Sequence, residues 1–183
     1  AARLVQQLLT MARLEPDAAA AAPTRVDVGN LLTSVIDDLR PLATERRIGV
    51  TVSGTSDDCA VAGSEDALRI LLNNLVDDAI RYTPEGGAVA VEIRRVGADV
   101  EASVEDTGPG IPEDERARVF DRFYRGPTAT ATGTGLGLAI VSQVVEMHRG
   151  SVSLGASDSG GLQVRVRIPA QPAEPIGRSV FAH

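Results

Sequence analysis

Apolar positions recur along this chain with two periods, and the switches between them predict its elements. Leu4, Leu8, Met11 and Leu14 fall on one helical face, with Val5 and Leu9 beside them. Nothing adjacent in sequence covers so wide a stripe, so residues 1–15 read as a helix that packs on a partner. Glu15-Pro16 ends it, because the residue before proline disfavours helix. The alanine-rich residues 17–23 read as a joint between this helix and a globular part. A short strand at 25–26 leads to Asp27, a plausible N-cap, and to a helix reaching about Arg47 with Leu31, Val35, Leu39 and Leu42 inward. Residues 48–53 alternate as a strand, and Asp57-Asp58 turns the chain into another at 59–62. Ser64 then caps a long helix, with Glu65 and Asp66 well placed in its first turn.

Thr83-Pro84 and Glu85-Gly86-Gly87 close that helix, and strands at 88–96 and 100–105 follow as an antiparallel hairpin through Gly97-Ala98-Asp99. Pro112 suits the first turn of a short helix. Residues 120–135 have almost no apolar periodicity and read as a mobile flap. A glycine-led helix with Leu136, Ile140, Val144 and Met147 on one stripe ends near His148-Arg149-Gly150, and 151–154 with 163–168 read as the last strand pair. Beyond Pro169 the pattern is lost, which reads as a frayed tail. The expected build is α+β: a mixed, mainly antiparallel sheet with three helices on one face, preceded by a helix fragment.

At 183 residues the chain has room for one domain with a real core plus a short appendage. Eighteen Lys and Arg against 25 Asp and Glu give a net charge of −7, which disfavours nucleic acid as a partner. The single Cys59 excludes an intrachain disulfide. No apolar run approaches the roughly 20 residues that span a bilayer. A start at Ala-Ala-Arg, without Met, reads as a piece of something longer.

Chemistry enters at three places. In residues 132–141, Gly133, Gly135 and Gly137 run into the helix that begins near Leu136. A glycine turn opening a helix presents unpaired N–H groups at the positive end of the macrodipole, a site for phosphate oxygens, though a glycine loop also simply caps a core helix. On the long helix Asn74, Asp78 and Arg81 form a polar stripe at i, i+4 and i+7. Such a stripe is either a solvated face or the oxygen ligands and guanidinium of a metal–phosphate site. Asp106-Thr107-Gly108-Pro109-Gly110 follows a strand, so its carboxylate is either part of an ordinary turn or the acceptor for an exocyclic amine such as that of adenine.

In this order and spacing the pieces resemble the ATP-binding domain of sensor histidine kinases, within the gyrase, heat-shock chaperone, histidine kinase and MutL superfamily. The likeness covers about residues 25–169. Residues 74–84 look like its asparagine box, 106–110 like the first glycine box, 120–125 (Phe-Asp-Arg-Phe-Tyr-Arg) like the phenylalanine box, and 133–137 like the second glycine box. Residues 1–15 resemble the end of the dimerisation hairpin's second helix, 16–24 a linker, and 170–183 a tail.

The resemblance implies a two-layer, Bergerat-type sandwich and assigns roles. Asp106 would hold the adenine amine between Gly108 and Gly110, and Tyr82 would lie against the base. Arg81, Arg122 and Arg125 would meet phosphates, and the backbone near Gly133, Thr134, Gly135, Leu136 and Gly137 would wrap them. Asn74 and Asp78 would hold Mg²⁺ directly or through water. The implied activity is transfer of the γ-phosphoryl of Mg·ATP to a histidine on a dimerisation and phosphoacceptor domain absent from this chain. A response regulator would receive it next. The full protein would be a homodimer in the cytoplasmic membrane, with this domain on its cytoplasmic side.

Two departures matter. The family's metal-ligating asparagine is Asp78 here; a second negative charge ~6 Å from a phosphate at an effective dielectric of ~20 costs about 3 kcal/mol, which Mg²⁺ would offset. The reading therefore expects unusual metal dependence, with a binding-only pseudokinase or inactivated variant as the alternative. No His-Glu-Leu-Arg-Thr-Pro-like acceptor segment is present, and the only histidines are His148, placed as a helix C-cap, and His183. Hydrolytic superfamily members carry a glutamate base where this chain has Asn74, which cannot take a proton from water.

Overall fold

In the computed structural model, which describes residues 2–14, 22–54, 58–124 and 133–171, these periods resolve into four α-helices and seven strands. The order is α1 (Ala2–Arg13), β1 (Thr24–Asp27), α2 (Val28–Glu45), β2 (Gly49–Ser53), β3 (Ala60–Gly63), α3 (Glu65–Tyr82), β4 (Ala88–Val96), β5 (Asp99–Asp106), α4 (Gly137–Met147), β6 (Ser151–Ala156) and β7 (Leu162–Pro169). The local signals act as expected. Asp27 accepts from the Asn30 amide at 2.9 Å to start α2, and Ser64 Oγ accepts from Ala67 at 3.3 Å to start α3.

Strands β2-β4-β5-β7-β6 form one mixed sheet, antiparallel except for β2 alongside β4. Alternation puts Val89, Val91 and Ile93 of β4, Val100, Ala102 and Val104 of β5, and Val164, Val166 and Ile168 of β7 on the buried side. There they meet Leu68, Leu71, Leu72, Leu75 and Ile80 of α3 and Ile140, Val141 and Val144 of α4 in one continuous core. Helix α3 lies between α2 and α4, giving the two-layer α+β build. On the opposite face of β5, Glu101 is buried beneath Arg94 and Arg167, whose guanidiniums reach it at 2.7 and 2.6 Å.

The structure departs from expectation at three points. Residues 59–62 do not follow 48–53 into the same sheet. Instead β3 pairs antiparallel with β1 as a separate two-stranded sheet, with a bridge between Val61 and Ala170 linking it to the chain just beyond β7. The reason is burial: Ala60 and Val61 are enclosed, whereas β2 is mostly exposed and suits a sheet edge. The helix expected from Pro112 is only a 3₁₀ turn at Glu113–Glu115, three acidic residues with no apolar stripe to bury. The stripe on α1 splits, with Met11 and Leu14 joining the core while Leu4, Val5, Leu8 and Leu9 stay exposed. No described helix is long and apolar enough to cross a membrane. Most of the expected linker and flap and nearly all of the tail, with Arg125 and His183, lie outside the described residues.

Candidate functional site

Helix α3 buries one apolar side and turns Asp78 of its polar stripe toward the N-terminus of α4. Asn74 is 8% exposed, and its Nδ2 donates back to the Ile70 carbonyl at 2.8 Å, which orients Oδ1 away from the helix axis. One turn on, Asp78 faces α4: a Cβ added to Gly137 would fall 2.1 Å from Asp78 Oδ2. Arg81 is held by its neighbour, Nε donating to both oxygens of Asp77 at 2.9 Å. The last turn is clamped from α2's end by Arg46, whose guanidinium donates to the carbonyls of Ile80, Arg81 and Thr83 at 3.2, 3.0 and 3.3 Å. Those carbonyls have no further helical turn to bond, and the positive charge suits that end of the dipole.

Asp106 closes β5 on the floor of a cleft. Its Oδ1 accepts from the amides of Gly108 at 2.8 Å and Leu162 at 3.1 Å, which fixes the carboxylate plane. Burial pushes its pKa above the ordinary aspartate value, against the lowering effect of the Leu162 and Gly108 amides. Two glycines make room for it. A Cβ at Gly161 would lie 2.1 Å from the Asp106 carbonyl oxygen, and one at Gly108 would lie 2.9 Å from Oδ1. Leu75, Ala79, Val104, Ile111, Leu162 and Val164 give the cleft apolar walls, and Tyr82 and Tyr124 stand at its sides. Arg118 lies over the Tyr124 ring, 4.4 Å from its centroid.

The second glycine segment forms the opposite wall. Gly135 has φ +72° and its carbonyl accepts from the Phe123 amide at 2.9 Å, a backbone approach that a Cβ would block at 2.8 Å. Gly133 packs on Tyr82, whose hydroxyl occupies the place a Cβ would take. Leu136, the cap residue of α4, gives its side chain to the core and supplies no capping hydrogen bond to the first turn. Thr134 Oγ1 accepts from the Leu136 amide at 3.4 Å and donates to Gln7 Oε1 of α1.

The structure thus gathers Asp78, Tyr82, Asp106, Gly110, Thr134, Gly135 and Gly137 around one cleft, with Gly108, Gly133 and Leu136 supporting it. Asn74 sits behind Asp78 and meets the site through Gln7. Arg81 and exposed Arg122 do not line the cleft. The sequence reading missed Leu162 and Gly161, signalled by the Gly160-Gly161 pair before the last strand, and it missed Arg46 and Gln7, which carry no local signature. Chemically, the cleft offers apolar walls for a flat base, a fixed carboxylate acceptor and an uncapped helix start for anionic oxygen. Asn74 and Asp78 add an oxygen pair on one face of α3, the donor type a hard cation such as Mg²⁺ selects.

Comparison with known proteins agrees with this fold. Residues 63–172 match the family model described as histidine kinase-, DNA gyrase B-, and HSP90-like ATPase. The chain is 36% identical over 168 residues to the sensor protein kinase PmrB of Pseudomonas aeruginosa, covering 91% of this chain and 35% of that protein. It is 40% identical over 182 residues to the sensor protein SphS of Synechococcus elongatus, covering 93% and 44%. The chain therefore spans less than half the length of these relatives. Among solved structures it is similar to a mycobacterial sensor histidine kinase, MprB (TM-score 0.73, 31% identity, 82% of this chain and 99% of that one). It is also similar to full-length ShkA in complex with AMPPNP (TM-score 0.80, 32% identity, 94% and 36%).

Proposed function

Because the chain belongs to the family of histidine kinase-, DNA gyrase B- and HSP90-like ATPases, we propose that it is the catalytic ATP-binding domain of a sensor histidine kinase. The observation that carries this is Asp106, held by the amides of Gly108 and Leu162 on the floor of a cleft whose far wall is Asp78 set against Gly137. Asp106 accepts from the adenine amine, and Tyr82 and the apolar walls enclose the base. The open first turn of α4 and the amides near Gly133, Gly135 and Gly137 take phosphate oxygens. Asn74 and Asp78 are the residues that would hold Mg²⁺, which when bound offsets phosphate charge. Arg81, whose Nε is held by Asp77 outside the cleft, and Arg125 are both assigned to the phosphates from the family likeness. Arg122 is left as a weaker candidate for that task.

The phosphoryl acceptor is a histidine of a dimerisation domain outside this chain. A neutral imidazole is already a nucleophile and needs no base, which is consistent with Asn74 at the position of the hydrolytic glutamate. The chain's work is positioning and charge stabilisation. Residues 1–15 are assigned to the end of that dimerisation domain, 16–24 to a linker, 25–169 to the catalytic domain and 170–183 to a tail. A response regulator as final acceptor, a homodimeric whole protein and a cytoplasmic-membrane location are parts of the same proposal. The test mixes this chain, γ-labelled ATP and Mg²⁺ with a separately made hairpin domain carrying the acceptor histidine. Label should reach the hairpin and never this chain alone. No nucleotide binding and no label on the hairpin would overturn the proposal.

A further inference from the structure

Helix α1 reaches the site through one polar residue on its buried edge. Gln7, Met11 and Leu14 follow at i, i+4 and i+7; the latter two enter the core, and Gln7 is 8% exposed. Its Nε2 donates to Asn74 Oδ1 at 3.4 Å, and its Oε1 accepts from Thr134 Oγ1. Thr134 Oγ1 in turn accepts from the Leu136 amide at 3.4 Å. A polar run therefore crosses from α3 to the start of α4, with a residue of α1 in the middle.

Each end of this run is a group the proposed function needs elsewhere. A carboxamide nitrogen is a donor only, so Oδ1 is the side-chain atom with which Asn74 would ligate a cation; the bond from Nδ2 to the Ile70 carbonyl fixes its orientation, and Gln7 points an N–H at it. A cation and a donated hydrogen compete for that oxygen. At the other end, the Leu136 amide faces the Thr134 hydroxyl, which Gln7 helps to orient. A phosphate oxygen on that amide displaces the hydroxyl.

From this juxtaposition, and resting on the nucleotide-site reading above, we infer that Gln7 is a residue of the site. Its amide stands in for metal and phosphate, so that seating of α1 and binding of Mg·nucleotide oppose each other. By linkage the opposition is reciprocal. Two hydrogen bonds of modest to ordinary strength set its scale at about fivefold to thirtyfold in affinity.

The test has two arms on the whole chain. Titration calorimetry with Mg·ADP compares the parent with Gln7→Leu, which keeps volume and helix preference but loses both hydrogen bonds. The variant should bind about fivefold to thirtyfold tighter, and equal or weaker binding overturns the inference. Hydrogen exchange on the parent needs no variant: saturating Mg·ADP should speed exchange at the amides of residues 7–14, and unchanged or slowed exchange there overturns it. If the parent and the variant both fail to bind Mg·ADP, the ATP-site reading itself has failed, a result distinct from either of the others.

Discussion

Asp106 meets two opposed demands with one carboxylate. Burial raises its pKa and so penalises the charged form, whereas an adenine amine is held best by the ionised one. Its contribution to stability is full below the unfolded pKa and is lost as pH rises through the raised folded value. Nucleotide affinity moves the other way, falling as pH drops through that same raised value. Asp106→Asn retains an oxygen for the Gly108 and Leu162 amides but carries no charge. It should leave the melting temperature at pH 7 unchanged or higher while weakening ATP binding by at least tenfold, as thermal melts and calorimetry would record. Asp78 is the other decisive residue. Its carboxylate sits against Gly137, where a phosphate would approach, so ATP should bind far better with Mg²⁺ than with chelator. Asp78→Asn should narrow that gap by about tenfold or more, since the like-charge cost is of order 3 kcal/mol. Equal affinities with and without chelator in the parent chain would refute the charge argument.

At the scale of elements, the site depends on how the ends of α3, β5 and β7 are fixed. Arg46 satisfies three carbonyls where α3 stops. Arg46→Ala should cost about 1–3 kcal/mol in urea unfolding, with Arg46→Lys recovering part of it. Gly161 lets β7 pass over the Asp106 backbone. Gly161→Ala places a methyl 2.1 Å from a carbonyl oxygen, and circular dichroism melts should show a loss of stability together with loss of nucleotide binding. These elements were unequally legible in the sequence. Asp27 and Ser64 announce their helices because a cap is a local interaction; Asn74 and Asp78 stand out by their helical spacing, and Asp106 by the glycine turn that follows its strand. Arg46 and Gln7 were invisible because their partners lie on other elements, far along the chain. The stripe on α1 was read as a single face, yet it divides where Met11 and Leu14 find the core and Leu4 and Leu8 do not.

For the molecule as a whole, the layer order and the two hairpin pairings, β4 with β5 and β6 with β7, were readable, and the rest of the strand pairing was not. Alternation in β4, β5 and β7 identifies the buried side, but nothing local states that β2 runs parallel to β4 or that β3 turns away to β1. Glu101, under the uncovered face of the sheet, tests how far that face contributes to stability. Burial alone would raise its pKa, but hydrogen bonds from Arg94 and Arg167, with their charges, hold it below the usual glutamate value. Its stabilisation is therefore present above the unfolded pKa and lost as pH falls through the depressed folded one. Glu101→Gln should lower stability at pH 7 by about 1–3 kcal/mol and flatten the acid limb of the stability–pH curve. The lone parallel contact in this sheet has a kinetic corollary. The β4–β5 and β6–β7 ribbons join neighbours and zip early, whereas β2 can dock only after the chain has travelled through β3 and α3 and returned as β4. In refolding, ribbon formation should precede closure of that edge, and the ability to capture nucleotide should arrive with the slower event.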